Sequence, residues 1–444
     1  MFSPPSMAGT CYPGKAATTL GLLLFSALAN GCSDEIVSPV GEPASLSLST
    51  TVLEIFETEL RPISATVRDG EGRVVSATVV WSSANSTVAT VDAAGTVLGV
   101  GAGTTMVEAQ VAGIRETVDV QVLTPMDFAF PLVGTLNDDF FYVNYVDLDP
   151  TLGISDYRCG LKSYDGHRGN DITLPSLVRM DQGVTVLAAA PGTVTSVTDG
   201  LPDRSTTRGS GGFGNHVRIA HAGGWESIYG HMASNSIAVS VGQTVGAGAA
   251  LGLVGSSGNS SMPHLHMEFQ RNGTVVDAFG GPCGRGVNHW AVPVPYQDTR
   301  RLIQYATTPE DLTLDLVKAP TPNVTTFSTA DGRVYFWVHM LNLAEGSVSR
   351  FDYYDPSGAL FWTYSVAHDQ FYSMSWWWVW HSIAGSMTAT GTWRIDYFNA
   401  SDLVAQHWFE LQAAPAGGEE AVPTSPSARF GSGGGSVGPV PGRR

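Results

Sequence analysis

Positive charge is scarce in this chain. Its 444 residues hold 23 Lys and Arg against 40 Asp and Glu, for a formal net charge of −17, and only 14% of residues are charged. None of the motifs described below lies in a basic patch. Phosphate neutralisation needs clustered Lys and Arg, so nucleic acid is excluded as a partner. Cysteine is almost absent, with four in all. Cys11 and Cys32 fall in the N-terminal segment, which leaves Cys159 and Cys283 as one pair. Two thiols are too few for a structural metal site. In an oxidising compartment they most simply form a disulfide, the alternative being two buried free thiols. Past the N-terminal segment no apolar run is long enough for a membrane span. Helical periodicity is also missing, apart from a short amphipathic stretch at 299–305. Glycine and proline are plentiful, at 51 and 25. This composition points to an exported, β-rich protein, and its length to two to four domains.

The N-terminus reads as an export signal. Lys15 precedes the apolar stretch Ala16 to Ala29, and small residues follow in Leu28-Ala-Asn-Gly-Cys32. A Cys in this setting resembles a bacterial lipobox, although Leu28 lies one place early and Asn30 is unusual before the Gly. The resemblance implies lipidation of Cys32 and anchoring in the cell envelope, at the outer membrane, in the periplasm or on the cell surface. Ordinary cleavage and secretion, or an uncleaved anchor, are the alternatives. Residues 1–32 are thus signal and lipobox, and 33–43 a polar tether.

Short alternating strands with turn residues between them fill 44–123. Within this stretch, Val80-Trp-Ser-Ser, Val88-Ala-Thr-Val-Asp, a Gly95 hairpin and Gly101-Ala-Gly103 resemble the bacterial immunoglobulin-like domain of group 2. That resemblance implies a β-sandwich spacer or adhesion module without catalysis. Residues 126–305 hold all the candidate chemistry, with a core at 164–277. Residues 311–413 are β-rich again. Trp376-Trp-Trp-Val-Trp380 stands out there, either as a platform for sugar rings or as a strand buried on both sides. Residues 414–444 are Gly-, Ser- and Pro-rich and read as disordered. The expected fold is mainly β: an N-terminal Ig-like sandwich, a central β-sheet domain and a C-terminal sandwich-like domain.

The chemistry concentrates in three places. His264-Leu-His266 ends a glycine-punctuated run, and on a strand the i, i+2 spacing points both side chains to one face. Alone this carries little information. His167-Arg-Gly-Asn-Asp171 lies upstream, and an extended chain again puts its His and Asp on one face. Two histidines and a carboxylate on one face can hold a catalytic zinc ion with one position open. His231 lies in Tyr229-Gly-His. The nearby His216 and His221 match no ligand position and read as packing or supporting residues.

Taken together, His-x-x-x-Asp, Tyr-Gly-His and His-Leu-His, each in its glycine setting, resemble the lysostaphin-type zinc endopeptidases, also called LytM-like or β-lytic peptidases. The resemblance covers roughly Gly166 to Asp277 and is highly specific. It implies a central antiparallel sheet and one zinc ion held by His167, Asp171 and His266. It also implies two catalytic histidines off the metal, His231 and His264. A zinc ion in such a site lowers the pKa of its water from about 16 to about 7 and polarises the scissile carbonyl. The free histidines exchange protons or stabilise the oxyanion. Met267 stands where an aromatic is usual, and Met262 replaces the usual Gly before Pro263. The stretch 205–212 reads as an expanded loop at the rim of the groove. The implied activity is hydrolysis of peptide bonds in peptidoglycan. Alternatives are a non-catalytic wall-binding or regulatory module, a secreted peptidase acting on proteins, and an adhesin.

Overall fold

A computed structural model describes residues 41–284, 286–319 and 323–414. Cys32, the export signal, most of the tether and all but the first residue of the 414–444 tail lie outside the described residues. The described chain is mainly β, and most strand pairs are antiparallel. No helix among the described residues is long and apolar enough to cross a membrane.

The N-terminal unit runs from Pro43–Leu48 to Ile114–Leu123. Its longest hairpin pairs Gly103–Val111 with Ile114–Leu123. Alternate residues Val107, Val118, Val120 and Val122 share a core with Ile55 and Val97, the pattern of a sheet wet on one face. Ala112 and Gly113 at the turn both have positive φ, as a primed hairpin turn requires. At the end of its second strand, Phe56 packs on Trp225 and His289 of the next unit.

The central sheet runs in the order Phe141–Asn144, Asn170–Thr173, His264–Arg271, Trp225–Met232, Asn215–Ala220, Gly192–Thr198, Thr244–Val245, each neighbour antiparallel. One face buries Ile172, Tyr229, Leu265, Met267 and Phe269 against Phe128 and Trp290. Each such aliphatic or aromatic side chain contributes about 1.5–3 kcal/mol of burial. The opposite face carries the histidines. Cys159 and Cys283 form a disulfide across 124 residues, tying a loop near the start of the unit to its end.

The third unit is a sandwich. A three-stranded sheet of Arg301–Thr308, Arg333–Leu343 and Tyr372–Ser382 packs on a five-stranded one. The five run in the order Thr326–Ser328, Asp402–Gln412, Gly391–Asn399, Val348–Tyr354, Leu360–Ala367. Residues 301–305 are therefore strand, not the amphipathic helix that the sequence suggests. Leu302 stands across from Met340 and Tyr305 across from Val338, and cross-strand pairing outweighs a weak local helical pattern. This strand moves the start of the third unit back to Arg301, ahead of the 305 and 311 limits read from the sequence. The tryptophan run is also a packed strand. Trp377 and Val379 enter the sandwich core, while Trp376, Trp378 and Trp380 face a second cluster that includes Met262 of the central unit.

Closing a loop of this length with a disulfide restricts the unfolded chain and stabilises by about 2–4 kcal/mol. Replacing both Cys159 and Cys283 by Ala should lower the unfolding free energy by that amount in denaturant titrations. A chain beginning after Cys32 should show no titratable thiol under denaturing, non-reducing conditions.

Candidate metal centre

Strand register assembles the site. Asp171 lies directly across from His266, and Thr173 across from His264. Cross-strand partners share a face, so Asp171, His264 and His266 project together, away from Leu265 and Met267 in the core. His167, in the turn before Asn170–Thr173, completes the group. His167 Nε2 lies 3.1 Å from Asp171 Oδ1, His266 Nδ1 lies 2.9 Å from the same oxygen, and the two nitrogens are 3.3 Å apart. All three residues are buried.

Gly169 lets this happen. A Cβ there would come within 2.6 Å of His266 Nε2, so any side chain would displace the ring. His231 needs a different device. Strand parity would send it to the core face with Tyr229. Between Tyr229 and Met232 two residues stand opposite one on the neighbouring strand, which makes a bulge, and His231 takes φ of 61°. A bulge re-aims side chains, and positive φ is unusual for a non-glycine residue. The result sets the His231 ring 4.6 Å from that of His264 and 5.8 Å from that of His266.

Backbone carbonyls fix the tautomers. The Nδ1 of His167, His231 and His264 faces Tyr145 O, Ser257 O and Met262 O at 2.7, 2.7 and 2.8 Å. Each Nδ1 therefore carries the proton, and each Nε2 presents a lone pair. His266 is the reverse: its Nδ1 faces the cluster, and its Nε2 lies 3.7 Å from buried Glu268. Burial, with the neighbouring His264 and His266, holds the His231 pKa well below the usual value. Burial also lowers that of His264, against the pull of Asp171. Burial alone would lower the His266 pKa, but Asp171 and Glu268 outweigh it and push it up to about 9. Burial opposes ionisation of Asp171, yet His167, His264 and His266 together hold its pKa well below the carboxylate range.

The donor set fits a zinc ion. Ligand atoms about 3 Å apart suit bond lengths near 2.0–2.1 Å in a tetrahedron with one open position. His216 and His221 stand outside the group. His216 bonds Gly214 O and touches Phe213, whose ring contacts His266. His221 joins a buried network with Pro191 O and Ser227. Asn144 is a contributor that the motifs do not reveal: its Nδ2 donates to Asp171 Oδ2 at 2.9 Å. A cavity of about 210 Å³ between the central and C-terminal units, lined by Tyr142, Arg301 and Asn342 among others, includes none of these histidines.

Residues 165–278 match the model of peptidase family M23, and residues 58–121 that of the group 2 bacterial Ig-like domain. The chain therefore contains an M23 peptidase domain and an Ig-like domain, in agreement with both resemblances in the sequence. It is 38% identical over 111 residues to the DD-carboxypeptidase/endopeptidase Mpg of Neisseria meningitidis, which covers 25% of this chain and 21% of that protein. It is 42% identical over 66 residues to the murein hydrolase activator EnvC of Escherichia coli, 15% of each chain. The chain thus spans about a fifth or less of these relatives. Among solved structures, the catalytic domain of the prophage-encoded M23 protein EnpA from Enterococcus faecalis is 31% identical. That match covers 31% of this chain and 88% of that one, with a TM-score of 0.23.

A raised folded-state pKa on His266 has a defined consequence for the metal-free protein. The stabilisation is complete below the unfolded value near 6.5 and is lost as pH rises through about 9. In the presence of a chelator, unfolding free energy should fall between pH 7 and 9.5 by on the order of 1–3 kcal/mol more in the wild type than in His266→Gln. Equal slopes in denaturant titrations of the two proteins would contradict this.

Proposed function

We propose that this protein is a zinc-dependent endopeptidase that hydrolyses peptide bonds in peptidoglycan, either stem peptides or cross-links. The observation that carries the reading is the triangle of His167 Nε2, Asp171 Oδ1 and His266 Nδ1 beside two further histidines with Nε2 lone pairs. In this reading His167, Asp171 and His266 hold one zinc ion, which when bound acidifies water and polarises the carbonyl to be attacked. His231 and His264 are the catalytic pair. Being neutral, either accepts a proton at Nε2 and, once protonated, donates a hydrogen bond to a developing oxyanion. Their carbonyl-bound Nδ1 atoms keep both rings aimed during the transfer. The M23 domain and the names of the relatives support the wall substrate. We also propose export to the cell envelope with lipidation of Cys32, the Ig-like unit acting as a spacer between that anchor and the peptidase.

A regulatory role is the competing reading, favoured by the similarity to an activator of murein hydrolases. Metal content and peptide release separate the two. The purified protein should bind one zinc ion and clear a suspension of sacculi, releasing peptides, and a chelator should abolish this. His167→Ala should lose the metal together with activity. His264→Ala should keep the metal and lose about 100-fold or more in rate. Wild type that binds zinc yet releases no peptide from sacculi, while stimulating another wall hydrolase, would establish the regulatory reading instead.

A further inference from the structure

The C-terminal sandwich lies against the face of the central sheet that bears the metal centre. The edge strand Phe141–Asn144 pairs with Asn170–Thr173, with Phe141 across from Thr173 and Tyr142 across from Ile172. Asn144, not Val143, then stands across from Asp171, because Val143 is an extra residue in the ladder. Without that bulge an apolar side chain would face the carboxylate. Val143 instead packs with Phe141 against Leu341 of the sandwich, beside Ile303 and Met374. The strand end is therefore gripped on one side by the sandwich and joined on the other to the candidate zinc carboxylate.

A buried relay completes this link. Asn144 Nδ2 donates to Asp171 Oδ2 at 2.9 Å, and Ser373 Oγ, on the sandwich strand Tyr372–Ser382, donates to Asn144 Oδ1 at 3.2 Å. All three side chains are buried. The amide has only one orientation that works, since an ionised carboxylate accepts and cannot donate. Asp171 Oδ1 faces His167 and His266, so the hydrogen bond to Oδ2 sets the rotation of the carboxylate about its own axis. Other contacts hold the same domain pair in place. Met262, two residues before His264, inserts among Tyr335, Trp337 and Trp376. Thr206 Oγ1 donates to Asp315 Oδ1 at 2.7 Å, and Lys318 Nζ donates to Thr206 O at 2.8 Å.

We propose that the C-terminal sandwich is a brace for the metal centre. Asn144 and Ser373 are positioning residues that orient Asp171 through this relay. The inference rests on the zinc reading given above. Outer hydrogen bonds of this kind are worth about 10–100-fold in metal affinity. They also alter ligand geometry, which the visible absorption of a bound cobalt ion reports.

The test uses the full chain, with zinc affinity measured by competition against a chelator and with the cobalt spectrum recorded in parallel. Asn144→Leu should weaken zinc binding about 10–100-fold and shift the cobalt bands. Ser373→Ala should move both readouts in the same direction by a smaller amount. Combining the two should be no worse than Asn144→Leu alone, because the serine acts only through the amide. Ser349→Ala is the control. It removes buried bonds to His368 and Tyr397 within the same sandwich, so it should lower thermal stability and leave both metal readouts as in wild type. If Ser373→Ala and Asn144→Leu bind zinc and cobalt like wild type, the brace is refuted and the zinc reading stands. If Ser349→Ala shifts affinity as much as Ser373→Ala, general loosening explains the effect and the brace is again refuted. If wild type takes up no metal, the zinc reading fails and the brace with it.

Discussion

The register between two antiparallel strands is the constraint on which the rest of the site depends. Asp171 must stand across from His266. A slip by one residue would pair Asp171 with Leu265 or Met267, so either Asp171 would turn toward the core or those apolar side chains would turn to the histidine face. Register is secured because the alternative is so costly on the other side. Ile172, Leu265, Met267 and Phe269 are fully or almost fully buried in one core, and exposing them would forfeit several kcal/mol. The hydrophobic face thus holds the polar face in alignment, and the chemistry depends on packing that never touches it.

Two bulges then depart from regular pairing, and both serve the same few ångströms of space. One, beside Tyr229, turns His231 out of the core and into the cluster. The other, at Val143, sets an amide rather than a valine beside Asp171. A regular sheet offers alternate residues at fixed spacing, which suffices for Asp171, His264 and His266. It cannot bring a fourth and fifth group from adjacent strands onto the same point without breaking the ladder. Positive φ at His231 is the backbone cost of that convergence.

This explains which parts were legible in the sequence. The His-x-His and His-x-x-x-Asp spacings report faces of strands, and period two is a local property that sequence displays directly. The Ig-like unit was legible for the same reason, since its alternating valines are local. Asn144 and Ser373 were not: they lie 229 residues apart, sit in no motif and meet only through domain packing. The strand at 301–308 is not legible because its partners lie 27 to 40 residues on, from Thr308 across from Tyr335 to Arg301 across from Leu341. Local periodicity cannot weigh a pairing it does not contain. The role of the tryptophan run needed the same information, because burial of both faces depends on a neighbour that the strand itself does not specify.

The two methionine departures from the family pattern lie in different packing environments, one in the core of the central unit and one at its contact with the C-terminal sandwich. Met267 is buried in the core face, where a flexible side chain fills space that an aromatic would otherwise take. Met262 is more telling. A glycine at this position would leave nothing to enter the aromatic pocket formed by Tyr335, Trp337 and Trp376. Methionine suits such a pocket, since its thioether is polarizable and its chain unbranched. The carbonyl of this same residue accepts the hydrogen bond from His264 Nδ1 at 2.8 Å. The side chain is anchored in the sandwich while the backbone aims a histidine at the candidate metal centre. The segment leading into His264 and the strand bearing Asp171 are thus both tied to the sandwich by buried contacts, so the site is built from two domains although every candidate ligand belongs to one.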